Sequence, residues 1–343
     1  MSVRNRSSEG HTKRYDAETT RPNPENGGRR PPLFSTEHKK GKESGMNQNH
    51  NLRNQMKKYR WIYVMMLPVV LYYLIFSYYP LLLGVITSFQ KTRMIGRPVF
   101  IGLQNYANVL KSPVYTEAFL NSLVIGAGTF LVQFPLGLLI ALALNETYRR
   151  FARSAVQTVS FIPNLLSWTV VGGMWLSMLA PEGLVNQILR LMGKQTLIFM
   201  AEQKFAQPIM ILSGAWKGAG YYAVLFLAAI TNINPSIFEA AAIDGASRLR
   251  QIVSIILPNL KSTMQVISLL AAMGLLRNFD QIFVMGNASI YPKVRTLLYL
   301  IYQDGVINFK TGQATAAATL ILAATFFFTY LTRRAVGYDK AYL

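Results

Sequence analysis

The 343-residue chain has no cysteine, and its three histidines, His11, His38 and His50, all lie near the N-terminus. A disulfide framework and a thiolate metal site are therefore excluded, and the rest of the chain has no imidazole for acid–base chemistry or zinc ligation. Charge is scarce too: 15% of residues are charged, against roughly 25% in an ordinary soluble domain. No G-x-x-x-x-G-K-[ST] stretch occurs, so a phosphate-cradling loop of that type is missing. Apolar residues, by contrast, are abundant: 51% of the chain is hydrophobic. These proportions exclude a typical cytosolic enzyme and a mostly disordered chain, and they point to an integral membrane protein. The formal net charge of +20 then reads as cationic loops facing anionic lipid rather than as a nucleic-acid surface.

Residues 1–60 differ from the remainder. They hold 14 Lys/Arg and 6 Asp/Glu and little apolar surface to offset the entropy of ordering, so a disordered basic tail is expected there. Arg29-Arg30 is followed by Pro31-Pro32 rather than by an apolar stretch, which argues against a twin-arginine signal. Met46 stands as an alternative start. From Trp61 the composition changes abruptly. Residues 61–90 run 30 without a charge, 118–145 and 154–181 run 28 each, 218–238 run 21 and 311–332 run 22; 262–285 is apolar except for Arg277 and Asp280. Crossing the hydrocarbon core takes about 20 apolar residues in a helix, and a backbone in lipid has to satisfy its own hydrogen bonds. Six spans are therefore expected, at about 61–89, 118–145, 154–180, 205–232, 260–287 and 311–333. Pro68, Pro80, Pro135 and Pro163 mark kinks or helix ends in them.

An even number of spans puts both ends of the 61–335 region on one side. The N-terminal approach from Lys42, the 146–153 and 233–261 loops and the C-terminal end from Arg333 carry 14 Lys/Arg, against 10 in the other three loops. The positive-inside bias places both termini in the cytoplasm of a multi-pass cell-membrane protein. Residues 91–117 and 182–204 then become external loops. Leu184, Ile188, Leu189, Leu191 and Met192 recur at near-helical spacing, as in a short helix on the outer surface or an extension of a neighbouring span.

The most informative stretch lies between the fourth and fifth spans. Ser236 with Glu239 three residues on has the form of a capping box, Ala240, Ala241 and Ala242 favour helix, and Gly245 suits a left-handed helix end. A second short helix then runs to Pro258, which opens span five. The result is a compact, glycine-hinged helix pair with little side-chain bulk around Ala240.

This segment resembles the EAA loop of binding-protein-dependent ABC importer permeases of the maltose type. The pattern is E-A-A, three residues, G, nine residues, I, one residue, L-P, and Glu239-Ala240-Ala241, Gly245, Ile255 and Leu257-Pro258 reproduce every spacing. The sequence from Phe100 to Tyr106 resembles the family's first external loop, and the stretches Pro163–Trp168, Trp216–Gly220 and Asn278-Phe279-Asp280-Gln281 resemble its complex-saccharide branch; residues 1–50 lie outside the resemblance. Arg250-Gln251-Ile252 departs from relatives that carry an aromatic residue there. The resemblance implies an all-α integral membrane fold of the type I importer architecture, with a cytoplasmic coupling helix in the 233–258 loop. It implies a non-catalytic subunit that binds no cofactor itself, forming half of the pathway for an oligosaccharide delivered by an external binding protein. The implied partners are a pair of cytosolic ATP-binding subunits, a second and related permease, the binding protein and membrane lipid, with no nucleic acid. Glu239, Ala240, Ala241, Asp244, Gly245, Leu257 and Pro258 would make or shape the ATPase contact.

Charged residues inside spans are costly and tend to face the protein interior or a water-filled path. Lys217, Arg277 and Asp280 are such residues, and with Tyr221, Asn278 and Gln281 they are the candidate solute-pathway positions. Arg277 and Asp280 share a helical face at a spacing of three and have an ion pair as their alternative role. Lys217 has snorkelling to the interface as its alternative. No catalytic or metal-ligating residue is expected. Two other functions compete: a permease of the same class for a non-sugar solute, and an ion-coupled carrier, which would use inverted repeats, broken helices and mid-membrane polar clusters.

Overall fold

In the computed structural model residues 58–93, 96–147 and 149–337 are described. The expected disordered tail lies outside the described residues except for 58–60, as does most of the 336–343 C-terminus. Two compact units divide at Leu67 and Pro68. In the first, the described residues are the opening turns of helix α1 (Arg60–Tyr73). Their side chains are exposed.

The second unit continues α1 through a π-helical turn into α2 (Tyr79–Ser88), and a two-residue hairpin follows, β1 (Gln90–Lys91) against β2 (Val99–Phe100). Next come α3 (Gln104–Lys111), α4 (Pro113–Asn145), α5 (Arg150–Leu165), α6 (Trp168–Leu179), α7 (Leu184–Leu191) and α8 (Gln203–Thr231). The cluster that includes the EAA pattern forms α9 (Pro235–Ile243), α10 (Arg248–Gln251), a π turn, and α11 (Leu257–Asn259). The rest comprises α12 (Lys261–Gly274), α13 (Asp280–Met285), α14 (Tyr291–Val294), α15 (Leu297–Tyr302) and α16 (Thr311–Val336).

Three helical stretches among the described residues are long and apolar enough to cross a membrane: Arg60–Ser88, Pro113–Asn145 and Thr311–Val336. Three more qualify only as bent pairs, with bends of 102° within 151–191, 71° within 203–243 and 59° within 248–274. Pro68 and Pro135 sit inside helices and Pro80 in a first turn. Helix α4 packs along α8 to form the central pair, and α5, α6 and α12 lean on it. One core cluster joins Ala141 and Leu144 to Phe226, Ile230, Ile256 and Leu260; another joins Ile125 to Met210, Ile282 and Ile290.

Two of the expected straight spans are broken. The third stops at Leu165 and restarts at Trp168, where Ser167 caps the new helix by accepting a hydrogen bond from the Val170 N–H at 3.4 Å. The break is stabilised from outside. The Lys217 ammonium donates to the carbonyls of Pro163, Asn164 and Leu166 at 3.0, 3.0 and 2.7 Å, which satisfies the orphan acceptors of a helix end. The fifth span unwinds between Gly274 and Asp280, and the Thr296 hydroxyl donates to the Asn278 carbonyl at 2.6 Å. Arg277 and Asp280 therefore flank a break instead of sharing a helical face, and the ion pair between them does not form among the described residues. Helix α7 is a separate helix, set off by a turn at 180–183 and pinned by buried Asn186, which donates to the Ala180 and Leu197 carbonyls at 2.9 Å each.

Candidate functional site

Two regions carry candidate function: the short helices at 235–259 and a cavity between α4, α6, α8 and α12. In the first, Pro235 occupies the first turn of α9, where its missing N–H costs nothing. That shifts the cap one step outward. Asn234, not Ser236, caps the helix, its side chain accepting from the Ser236 N–H at 3.1 Å, so the expected capping box is replaced. At the other end Gly245 adopts φ 73°, the Gly245 N–H bonds the Ala242 carbonyl at 3.1 Å and the Ala246 N–H bonds the Ala241 carbonyl at 2.9 Å. This wrap-around geometry needs a left-handed residue at 245, which glycine supplies without strain. Ser247 caps α10. The chain then stays helical through the π turn to Asn259, so Pro258 lies within this segment rather than opening span five; α12 begins at Lys261 after a bend.

Attachment of the pair to the body is specific. Phe238 and Ile252 pack on the core cluster of Phe226 and Ile256. Arg248 Nε reaches Glu146 Oε2, at the end of α4, at 3.4 Å. Gln251 is buried; it accepts from Arg248 at 3.0 Å and donates to the Ala246 carbonyl at 3.2 Å. The opposite side faces out. Glu239, Ala240, Asp244, Gly245 and Pro258 are exposed, Ala241 and Leu257 half-buried, and around them Ile243 is 87% and Leu249 71% exposed. An apolar face beside a carboxylate, on a helix clamped from behind, is a surface suited to a protein partner.

The cavity measures about 290 Å³. Gly126, Thr129, Phe130 and Gln133 of α4, Trp168 of α6, Gly214 and Tyr222 of α8, the unwound Leu275, Arg277 and Asn278, and Gln281 of α13 line it. Arg277 is exposed and is its one charged lining residue among the described residues. Of the other solute candidates, Asn278 donates to Gln281 Oε1 at 2.7 Å. The Gln281 amide N–H donates to the Met210 carbonyl at 2.7 Å and to Ser213 Oγ at 2.8 Å, a bridge between helices. Lys217 holds the break described above and stands 5.7 Å from the centre of the Trp168 ring. Asp280 is exposed and Tyr221 is 38% exposed, both outside the cavity lining. Thr129, Phe130, Gln133 and Tyr222 are cavity residues missing from the candidate set. Polar residues within the long apolar run of α4 were the available signal. Gly220 serves packing: a Cβ there would collide with the Ser160 carbonyl of α5.

Broken helices are one of the three features expected of an ion-coupled carrier, beside inverted repeats and mid-membrane polar clusters. Both breaks here are stabilised by the protein's own donors, and no cluster of three or more acidic, His or Cys side chains suited to a metal ion occurs among the described residues.

A mostly helical membrane chain with a helix pair packed on the body and exposed on its outer side, and a cavity at a helix break, has the architecture of a transport subunit. Residues 133–337 match the family described as binding-protein-dependent transport system inner membrane component, and the chain belongs to that family. Among curated relatives, the polygalacturonan/rhamnogalacturonan transport system permease protein YteP of Bacillus subtilis is 29% identical over 80% of this chain and 87% of its own length. The arabinooligosaccharides transport system permease protein AraP of the same species is 30% identical over 76% of this chain and 83% of its own length. Among solved structures, a bacterial alginate ABC transporter in complex with an alginate pentasaccharide-bound periplasmic protein contains a chain 30% identical to this one. Their TM-score is 0.74, and the match covers 82% of this chain and 97% of that one.

Proposed function

We propose that the chain is the permease half of an ATP-driven importer that takes up an oligosaccharide handed over by an external binding protein. It makes six crossings of the cell membrane at about 61–89, 118–145, 154–180, 205–232, 260–287 and 311–333, with both termini in the cytoplasm. A second, related permease completes the pathway. A separate pair of ATPase subunits supplies the energy, and this chain binds no cofactor of its own.

The observation that carries the reading is the clamped helix pair. Differential contact with a partner in two states is what lets nucleotide turnover bias a transporter's conformation, and a lever has to be stiff to transmit it. Core packing at Phe238 and Ile252 together with the Arg248–Glu146 pair holds α9 from behind. Glu239, Ala240 and Asp244 are left free on its outer side. Glu239 pairs with a basic residue of the ATPase, Ala240 and Ala241 permit close approach, and Gly245, Leu257 and Pro258 fix the shape. On the other side of the chain's function, the solute passes the cavity at the 275–279 break. Of the candidates named from sequence, Arg277, Asn278 and Gln281 line it, Gln281 also bridging helices; Lys217 supports its wall; Tyr221 and Asp280 stand outside it. The test is uptake by the complex reconstituted in vesicles with loaded binding protein. Oligosaccharide accumulation has to depend on ATP and vanish with a hydrolysis-dead ATPase subunit. Accumulation that follows an ion gradient without ATP would overturn the reading.

A further inference from the structure

We propose that the cavity selects acidic oligosaccharides, with Arg277 as the contact for a uronate carboxylate; the proposal rests on the oligosaccharide-importer reading above. Arg277 lies in the unwound stretch between α12 and α13, in a segment otherwise apolar from 262 to 285 apart from Asp280. An arginine in such a place is costly and marks a partner or a water-filled solute path; Arg277 is exposed towards the cavity it lines. Among the described residues it has no anionic partner: it takes part in no ion pair or hydrogen bond with Asp280, and no carboxylate lines the cavity. Asp280 opens α13 on the far side of the break and does not face the cavity.

The other walls suit a sugar. Gln133 and Thr129 make no hydrogen bond to another described residue, so their polar groups are free for hydroxyls. Asn278 gives one amide N–H to Gln281 and its backbone carbonyl to Thr296, and keeps its second amide N–H and its side-chain oxygen. The Trp168 and Phe130 rings offer apolar faces to a sugar's C–H side. Against this neutral lining, one unpaired guanidinium gives the cavity a net positive charge. Guanidinium binds carboxylate through two parallel hydrogen bonds, which fixes orientation as well as charge. A sugar carrying a carboxylate in place of a hydroxymethyl group fits that set of partners, and a neutral sugar leaves the guanidinium without its anion.

The experiment compares a galacturonate tetramer with its fully methyl-esterified form, in which each carboxylate charge is replaced by a neutral methyl ester, in vesicles holding the whole complex and an excess of binding protein. Each variant is divided by wild type for the same sugar, so any preference of the binding protein cancels. Arg277→Gln is expected to lower uptake of the acid about tenfold, the loss of roughly 1.4 kcal/mol, and to leave the ester within about twofold, while Arg277→Lys keeps part of the acid rate. An equal fall for both sugars makes Arg277 the partner of a group on the second permease and overturns the proposal. So does a wild type that carries the ester and not the acid, and in that case the oligosaccharide reading stands. A wild type that carries neither, with the neutral oligosaccharides of other sugars also excluded, overturns both.

Discussion

Replacing Lys217 with methionine tests the link between the broken third span and the cavity. Methionine keeps much of the length and apolar stem but removes three donors. In the structure the ammonium donates to three carbonyls at 2.7–3.0 Å, and the helix restart it supports begins with Trp168, a wall of the cavity. A hydrogen bond to a charged group contributes about 1.5–3 kcal/mol net, and a buried acceptor left alone costs about 1–3 kcal/mol. The three bonds share one ammonium, Lys217 is only half-buried, and water can take over part of the role, so the sum is far from additive. A loss of about 2–4 kcal/mol is expected. At roughly 2–4 °C per kcal/mol for a domain of this size, the apparent Tm of the purified complex should fall by about 5–15 °C. Lys217→Gln, which keeps a donor, should recover part of it. Thermal unfolding in detergent, followed by loss of the monodisperse chromatographic peak, reads the shift. An unchanged Tm with lost uptake would refute the reasoning, because it would make Lys217 a solute contact and not the brace of the break.

Further expectations concern separate parts of the molecule. Gly220→Ala should destabilise the complex by about 1–3 kcal/mol, an overpacking cost, because its methyl meets the Ser160 carbonyl; the same melt checks it, and Gly173→Ala, with open space around it, should be neutral. Gly245→Ala meets no atom within 4 Å but sits at φ 73°. It should therefore cost about 1–2 kcal/mol locally, leaving the Tm nearly unchanged while lowering uptake and transport-coupled ATP hydrolysis. Glu146→Gln removes the charge that Arg248 meets at 3.4 Å. As a half-exposed pair it should change stability by less than about 1 kcal/mol, yet raise the ATP hydrolysed per sugar imported as the lever loosens; an unchanged ratio would free the pair from any role in coupling.

How far the residues themselves foretell this structure depends on how local the deciding interactions are. The helix end at Gly245 was legible because left-handed geometry, the flanking alanines and the Ser247 cap are settled within a few residues. Asn234 was missed as the cap because Pro235 moves the helix start outward, a preference that the Ser236–Glu239 spacing conceals. The long uncharged runs announced helices. Their breaks at 166–167 and 275–279 were hidden, since the groups that make them affordable come from afar: Lys217 lies about 50 residues beyond the first break, and Thr296 reaches back to the second. Asn121 and Ser122 look like pathway polar groups in α4. The structure uses Asn121 to hold the Pro292 and Arg295 carbonyls at 3.1 and 3.2 Å and Ser122 to receive the Leu297 N–H at 2.9 Å. Gln133 and Thr129, in the same helix and equally inconspicuous, are left free at the cavity. Composition cannot separate a polar side chain that fastens helices from one that faces a solute; only its partners can.

The central claim is that α9 docks on an ATPase subunit. Because the chain has no cysteine, a single cysteine placed at Ala242, exposed on α9, reports on that contact without background from this chain. In native membranes, crosslinking with a short bifunctional thiol–amine reagent should join Ala242→Cys to the ATPase subunit, with a yield that changes between nucleotide-free and ATP-bound states, while a cysteine at exposed Phe326 gives no such product. Recovery of uptake-competent complex with no ATPase adduct from position 242 in either state would contradict the account.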